Sequence, residues 1–135
     1  MFLQAVADNL IADMTLTALL STYKGKPAIF VVDPAPENAE KPYIVVGPII
    51  GNVSFDTKTT RGRRARIDIR CYAEATGSSA LIETISERVR TLLHRTTLTI
   101  SGHACLILEC SGPISADEDN AYGRIVEAAI TAEET

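Results

Sequence analysis

Tryptophan is absent from this chain of 135 residues, and cysteine, methionine and histidine are scarce. The three cysteines are an odd number without a repeated spacing, which indicates reduced thiols and not a disulfide framework. The longest apolar runs, such as 43–46 and 105–108, have the length of strands, whereas a bilayer span needs about 20 residues. No basic segment precedes the apolar residues of the N-terminus. We therefore expect no membrane span and no signal peptide.

An excess of charge of either sign is also missing. The net charge is −4, the pI is about 5.1, and 22% of residues are charged while 46% are hydrophobic. These values are typical of a soluble globular domain and exclude a polycation that binds nucleic acid over its whole surface. No internal repeat is visible. The length predicts a single domain over residues 1–135 that needs neither a metal nor a disulfide to fold.

Two segments have the apolar periodicity of amphipathic helices. Apolar residues recur at helical spacing from Phe2 to Met14 and again from Leu81 to Leu93. Asp13 would fall within the apolar arc of the first segment, so we expect the helix to break there. Its carboxylate is a good N-cap for a second short helical turn, 14–20.

The rest of the chain is dominated by strand patterns. The clearest is 63–73, where apolar and polar side chains alternate with a period of two. Further strands are predicted at 27–32, 43–50, 96–100, 104–110 and 121–132, with loops at 33–42, 51–62 and 111–120. Strand 43–50 is apolar on both faces, which indicates burial on both sides by the domain or by a neighbouring subunit. Hairpins outnumber βαβ units, so we predict an α+β fold with a mostly antiparallel sheet and two main helices on one face.

Residues for catalysis or metal binding are few. His94 is expected to be a solvated side chain near a helix C-terminus. His103 and Cys105 are close in sequence but lack the second pair of ligands that zinc requires. Cys105 and Cys110 are predicted to lie on opposite faces of one strand. The acidic segment 117–120 lacks the spacing of a calcium loop. We therefore assign no catalytic residue, no metal site and no cofactor.

One cluster of basic side chains stands out in this acidic chain, and it comprises Lys58, Arg61, Arg63, Arg64, Arg66 and Arg70. It fits a solvated strand face partly neutralised by Asp68. It also fits an interface in which arginines bind the carboxylates of a partner. Contact with nucleic-acid phosphates is a third possibility, but no interleaved aromatic residues support base stacking.

Three short segments and their order resemble a known family. They are ADMTLTALL at 12–20, KPYIVVG at 41–47 and IDIRCYA at 67–73, and an amphipathic helix follows the last one. Together they resemble the small tail completion, or tail terminator, proteins of long-tailed phages, which also occur in prophages and gene transfer agents. The order and spacing match over residues 1–93, and the remainder matches only in pattern.

The resemblance implies a structural virion protein and not an enzyme. Family members are α+β domains that assemble into a ring, typically a hexamer, at the head-proximal end of the tail tube. The ring ends tube polymerisation and offers the surface for head–tail joining. The implied partners are further copies of the chain, the tail tube protein and the head connector or stopper protein. DNA would pass through the lumen without sequence-specific binding. The implied location is the virion tail after synthesis in the bacterial cytoplasm.

The resemblance and the basic cluster together suggest interface residues, which are Tyr43, Val45, Phe55, Lys58, Arg61, Arg63 and Arg64. Three alternatives stay open at this stage. A head–tail adaptor or stopper would have a similar size and composition. A small-molecule-binding α+β module would need a concave pocket. An enzyme would need a reactive centre near His103 and Cys105.

Overall fold

The computed structural model describes residues 2–31, 40–54, 56, 61–74, 77–100, 102–115, 117 and 121–134, without the side chains of residues 48, 52, 99, 106 and 107. The helices are α1 (Phe2–Ile11), α2 (Met14–Thr17) and α3 (Ala80–Leu93). The short strands are β1 (Thr22–Tyr23), β2 (Lys26–Pro27), β3 (Ile29–Phe30) and β6 (Thr99–Ile100). The long strands are β4 (Tyr43–Ser54), β5 (Gly62–Glu74), β7 (His103–Ser115) and β8 (Ala121–Glu134).

The principal sheet has six strands in the order β3-β4-β5-β8-β7-β6, and β1 pairs with β2 in a separate small hairpin. All neighbours in the principal sheet pair antiparallel except β3 and β4, which are parallel. Helix α3 packs on β5, β7 and β8. Helix α1 contacts β3 and β4 near one edge and β6 at the other, so the sheet curls around it. The predicted α+β class is confirmed.

The core lies between the helices and one face of this sheet, which we call the helix face. Leu10 of α1 and Ile85 of α3 have no exposed surface. Strand β5 shows the predicted alternation, and its buried side chains are Ala65, Ile67, Ile69, Cys71 and Ala73. A row of apolar side chains at every second position buries a continuous strip of surface, which is the main stabilising contribution of such a strand.

The break at Asp13 is confirmed. Helix α1 ends at Ile11, and α2 begins at Met14 with Asp13 as its N-cap. The Asp13 Oδ2 atom accepts a hydrogen bond from the Leu16 backbone N–H at 2.9 Å. Asp13 also forms an ion pair with Arg88 of α3, which the sequence analysis did not predict.

Several strand boundaries differ from the prediction. The strand predicted at 27–32 is two short strands, because β2 turns back onto β1. Strand β4 extends to Ser54, and β7 continues to Ser115 through the first half of the predicted loop 111–120. Most of the predicted loop 33–42 lies outside the described residues. Residues 51–54 of the predicted loop 51–62 belong to β4, which pairs with β5 as a long hairpin.

The predicted placement of Cys105 and Cys110 on opposite faces is wrong. The pairing of β7 with β8 shifts between Cys105 and Ile107, which marks a β-bulge. Cys105 therefore lies opposite Ala132 and Cys110 opposite Ala128, two positions that share the helix face. The extra residue of a bulge reverses the alternation of side chains beyond it, and a strict period of two cannot show this.

Candidate assembly surfaces

The face of the sheet away from the helices, which we call the open face, carries the polar side chains of β5. Arg64, Arg66, Asp68 and Arg70 occupy alternate positions there. Arg66 forms a hydrogen-bonded ion pair with Glu127 of β8. Burial raises the pKa of Asp68, and the nearby arginines act in the opposite direction. Part of the basic cluster is therefore balanced by acidic groups within the same sheet.

A row of four aromatic rings crosses one corner of the fold. The ring centroids of Tyr23 and Phe30 are 5.4 Å apart, those of Phe30 and Tyr43 5.9 Å, and those of Tyr43 and Tyr72 5.4 Å. In register, Val45 lies between Phe30 of β3 and Arg70 of β5. Only 3% of Val45 is exposed, so one copy of the chain already covers it. Val45 therefore has no side-chain surface to offer a partner, unlike the half-buried Tyr43.

The end of the β4–β5 hairpin, residues 49–54 and 61–64, is largely exposed. We call it the hairpin end. Its exposed apolar side chains are Ile49, Ile50 and Val53, and its exposed basic side chains are Arg61, Arg63 and Arg64. Arg64 pairs with Val53 on the open face, whereas Arg63 pairs with Ser54 and points to the other side. The structure thus brings together three of the predicted interface residues but divides them between two faces. Phe55 and Lys58 lie outside the described residues.

One outer edge of the sheet is closed over most of its length. Strand β6 pairs with the first residues of β7, and the Arg95 backbone N–H donates to the Leu108 carbonyl oxygen at 2.7 Å. The Cys110 N–H donates to Nδ1 of His94 at 3.0 Å. His94 is therefore a half-buried group that joins the end of α3 to the sheet, and the predicted solvated role is wrong. Among the described residues, segment 111–115 has no strand partner on this edge.

The other outer edge is closed over a shorter length. Strand β3 pairs only with Ile44 and Val45 of β4. Within the described part of the chain, residues 46–54 have no strand partner on that side. The backbone N–H and C=O groups of an unpaired edge are a template for another strand. Each edge of the sheet, as far as its residues are described, therefore has one segment without a strand partner, which we call its open segment.

The described residues offer little for catalysis. Burial raises the pKa of the Cys71 thiol to about 12 and that of Cys110 to about 11, so both stay protonated near neutral pH. His103 packs against Phe2 with ring centroids 5.4 Å apart. The described residues contain no cluster of three or more His, Cys, Asp or Glu side chains suited to a metal ion. A shallow groove of about 570 Å³ lies between α2 and α3, with Leu19 and Thr84 in its lining.

Comparison with known proteins decides the family. The model of the family described as "Tail completion protein gp17" matches residues 4–127. The chain belongs to this tail completion family. It is accordingly a structural protein of a phage-type tail and a component of the virion.

One solved structure has the same fold as this tail completion protein. A chain in a structure titled "Virion of native gene transfer agent (GTA) particle" superposes with a TM-score of 0.79 at 20% sequence identity. The match covers 97% of this chain and 93% of that one. No curated protein matches the chain. Within the described ranges, no helix is both long and apolar enough to cross a membrane.

Proposed function

We propose that this protein forms a ring at the head-proximal end of the tail tube, where it ends tube polymerisation and provides the surface for head–tail joining. The observation that carries the proposal is the hairpin end of a tail completion protein, where Ile50 and Val53 are 48% and 58% exposed. Grouped apolar side chains on the surface of a small domain mark sites of protein association. Arg61, Arg63 and Arg64 beside them suit carboxylates on a partner.

The likeness to a chain of a gene transfer agent virion supports a place in a particle of several proteins. The tail tube protein and the head connector or stopper protein are the partners in this proposal. A ring requires each subunit to use two different surfaces, since a head-to-tail contact closes only when successive rotations complete a circle. Hexameric closure is part of the proposal because it is what the family resemblance implies.

Passage of DNA through the lumen requires no sequence-specific contact in this proposal. Arg66 is already paired with Glu127, and Asp68 lies among the arginines of β5. An alternating set of charges offers phosphates much less attraction than a continuous basic track. We therefore expect any DNA contact to be weak and sensitive to salt.

Electron microscopy of the purified protein mixed with its tail tube protein tests the proposal. We expect tubes that are shorter than those of tube protein alone and capped by a ring at one end. The Arg63→Glu/Arg64→Glu double variant should remain folded, as judged by circular dichroism and melting temperature, but should cap few tubes. The two single variants show which side of the hairpin end makes the contact.

Lys24→Glu/Lys26→Glu is the matched control, because both lysines are exposed in the β1–β2 hairpin, lie apart from the hairpin end and give the same change of charge. It should cap tubes normally. Normal capping by the Arg63→Glu/Arg64→Glu variant would exclude the hairpin end as the contact. If the unmodified protein leaves tubes uncapped but binds the portal or stopper protein, the terminator role is wrong and the adaptor role replaces it.

A further inference from the structure

The open segment of β4 has a β-bulge between Ile49 and Gly51 but lacks the other features that keep edge strands apart. No charged residue occurs anywhere in β4, and beyond Pro48 the segment 49–54 contains neither a charge nor a proline. Its apolar residues Ile49, Ile50 and Val53 are 38–58% exposed. Natural sheets protect an exposed edge with lysine, proline or a covering segment. An uncharged apolar edge of this kind is expected in a protein whose edge is paired in the assembly.

The open segment of β7 has matching properties. Residues 111–115 carry no charge, and Ile114 is 57% exposed. Its length is similar to that of 49–54, although Pro113 removes one hydrogen-bond donor and a bulge lies between Ser111 and Ile114. The rest of this edge is already closed by β6 and by the contacts of Arg95 and His94. One unpaired segment therefore remains on each side of the described sheet.

The strand directions determine how two such segments can meet. Strands β4, β5, β8 and β7 are neighbours and each pairs antiparallel with the next, so β4 and β7 run in opposite directions. Through β5 and β8, segment 49–54 is level with residues 105–110 of β7, so segment 111–115 lies nearer the other end of the strands. Rotation about an axis inclined to the strands, as in a closed β-barrel, takes up this offset and keeps neighbouring strands nearly antiparallel. Strand β7 of one copy would thus meet β4 of the next in an antiparallel pair. This contact uses two different surfaces of the same chain, as ring closure requires.

We propose that segment 49–54 of one copy pairs antiparallel with segment 111–115 of a second copy, so that the sheet continues from subunit to subunit. The inference rests on the proposed ring and specifies its interface. Val53 is opposite Arg64 and Ile114 is opposite Ile125, which places both side chains on the open face. They are therefore able to be cross-strand neighbours, whereas side chains on different faces are not.

Disulfide cross-linking between two differently labelled chains tests this pairing. All chains carry Cys105→Ala, because Cys105 is the one half-buried thiol, while Cys71 and Cys110 are buried. One chain adds Val53→Cys or Gly51→Cys, which samples two registers on the open face, and the other adds Ile114→Cys. The chains are mixed, assembled on tube protein and oxidised. Cross-strand cysteines form a disulfide only when their Cβ atoms come within about 4.5 Å.

We expect disulfide dimers that contain one chain of each kind. Their yield should exceed by roughly tenfold that of Val53→Cys mixed with Thr91→Cys, because paired strands hold the two thiols at high effective concentration. Thr91 is the matched control, since it is exposed on α3 and away from both edges. A single chain with both Val53→Cys and Ile114→Cys should give a ladder of linked subunits. Unchanged melting temperatures identify variants that still fold.

The contradicting outcomes are separable. Rings without an excess of mixed dimers over the control would overturn this pairing and leave the proposed ring intact. Dimers that mainly contain two Val53→Cys chains would show a symmetric β4–β4 contact instead. If the unmodified protein forms no rings and caps no tubes, both the pairing and the proposed function are overturned.

Discussion

At the scale of single residues, two glycines with similar backbone angles have different surroundings. Gly112 lies within a bulge of β7 with φ +97°, and an added Cβ would come within 2.8 Å of the Ile125 carbonyl oxygen. Gly77 has φ +91°, but a Cβ there would meet no atom within 4 Å. The first position needs glycine for its conformation and for space, and the second for conformation alone.

We predict that Gly112→Ala destabilises the fold more than Gly77→Ala. The conformational cost of a side chain at positive φ is about 1 kcal/mol in both cases. Displacement of the Ile125 carbonyl adds a further cost of about 1–3 kcal/mol at Gly112 only. The free energy of unfolding in urea measures the difference. Equal losses for the two variants would show that the β7–β8 backbone can move aside without cost.

At the scale of secondary-structure elements, Asp13 joins three helices. Its carboxylate caps α2 and accepts two hydrogen bonds from Arg88 of α3, each 2.9 Å long. The hydrogen bonds from Arg88 hold the pKa of Asp13 below its usual value, and the pKa of Arg88 is raised in turn. The side chain that ends α1 therefore also fixes α2 against α3.

The lowered pKa of Asp13 predicts a pH dependence of stability. A carboxylate with a lowered folded-state pKa stabilises the protein above its unfolded pKa of about 3.9 and ceases to do so as the pH falls through the folded value. We expect Asp13→Asn, which keeps an acceptor for the cap, to melt several degrees below the unmodified protein at pH 7. The difference should shrink as the pH falls below about 4.

Asp8→Asn is the control for this experiment, because Asp8 is exposed on α1 and its carboxylate accepts a hydrogen bond from Gln4 of the same helix. Its melting temperature should follow that of the unmodified protein from pH 7 to pH 3. A gap between Asp13→Asn and the unmodified protein that stays constant over this range would contradict the ionic role of Asp13.

At the scale of the whole molecule, α1 holds the curled sheet together. It contacts β3 and β4 on one side and β6 on the other, and it also packs against α3. Leu10 has no exposed surface, whereas its neighbour Ile11 is 41% exposed. Buried side chains of α1 thus connect parts of the sheet that are far apart in strand order.

We predict that Leu10→Ala lowers the free energy of unfolding by about 2–5 kcal/mol, since it leaves a cavity at the centre of these contacts. Ile11→Ala should cost less than about 1 kcal/mol because its side chain is partly in solvent. Urea unfolding measures both values. Hydrogen exchange should show β4 and β6 losing protection together in Leu10→Ala. Loss confined to one edge would mean that α1 does not couple the two.

Local sequence patterns were sufficient for most elements of this fold. The alternation in 63–73 predicted β5, the apolar arc from Leu81 to Leu93 predicted α3, and a charge within an apolar arc predicted the break at Asp13. These features depend on residues near one another in the chain, where the periods of helix and strand act directly. The arginines of the hairpin end were also visible in the sequence, but their division between two faces came from the structure.

The sequence alone thus determined the order and type of the main elements, the amphipathic faces and the family. Tertiary structure decided which faces and edges remain available. The bulge in β7 turned Cys105 to the helix face, the placement of β4 between β3 and β5 left Val45 buried, and His94 closed the β7 edge at Cys110. Each of these contacts joins separate elements whose pairing register no local period encodes. The surfaces left for assembly therefore follow from long-range packing.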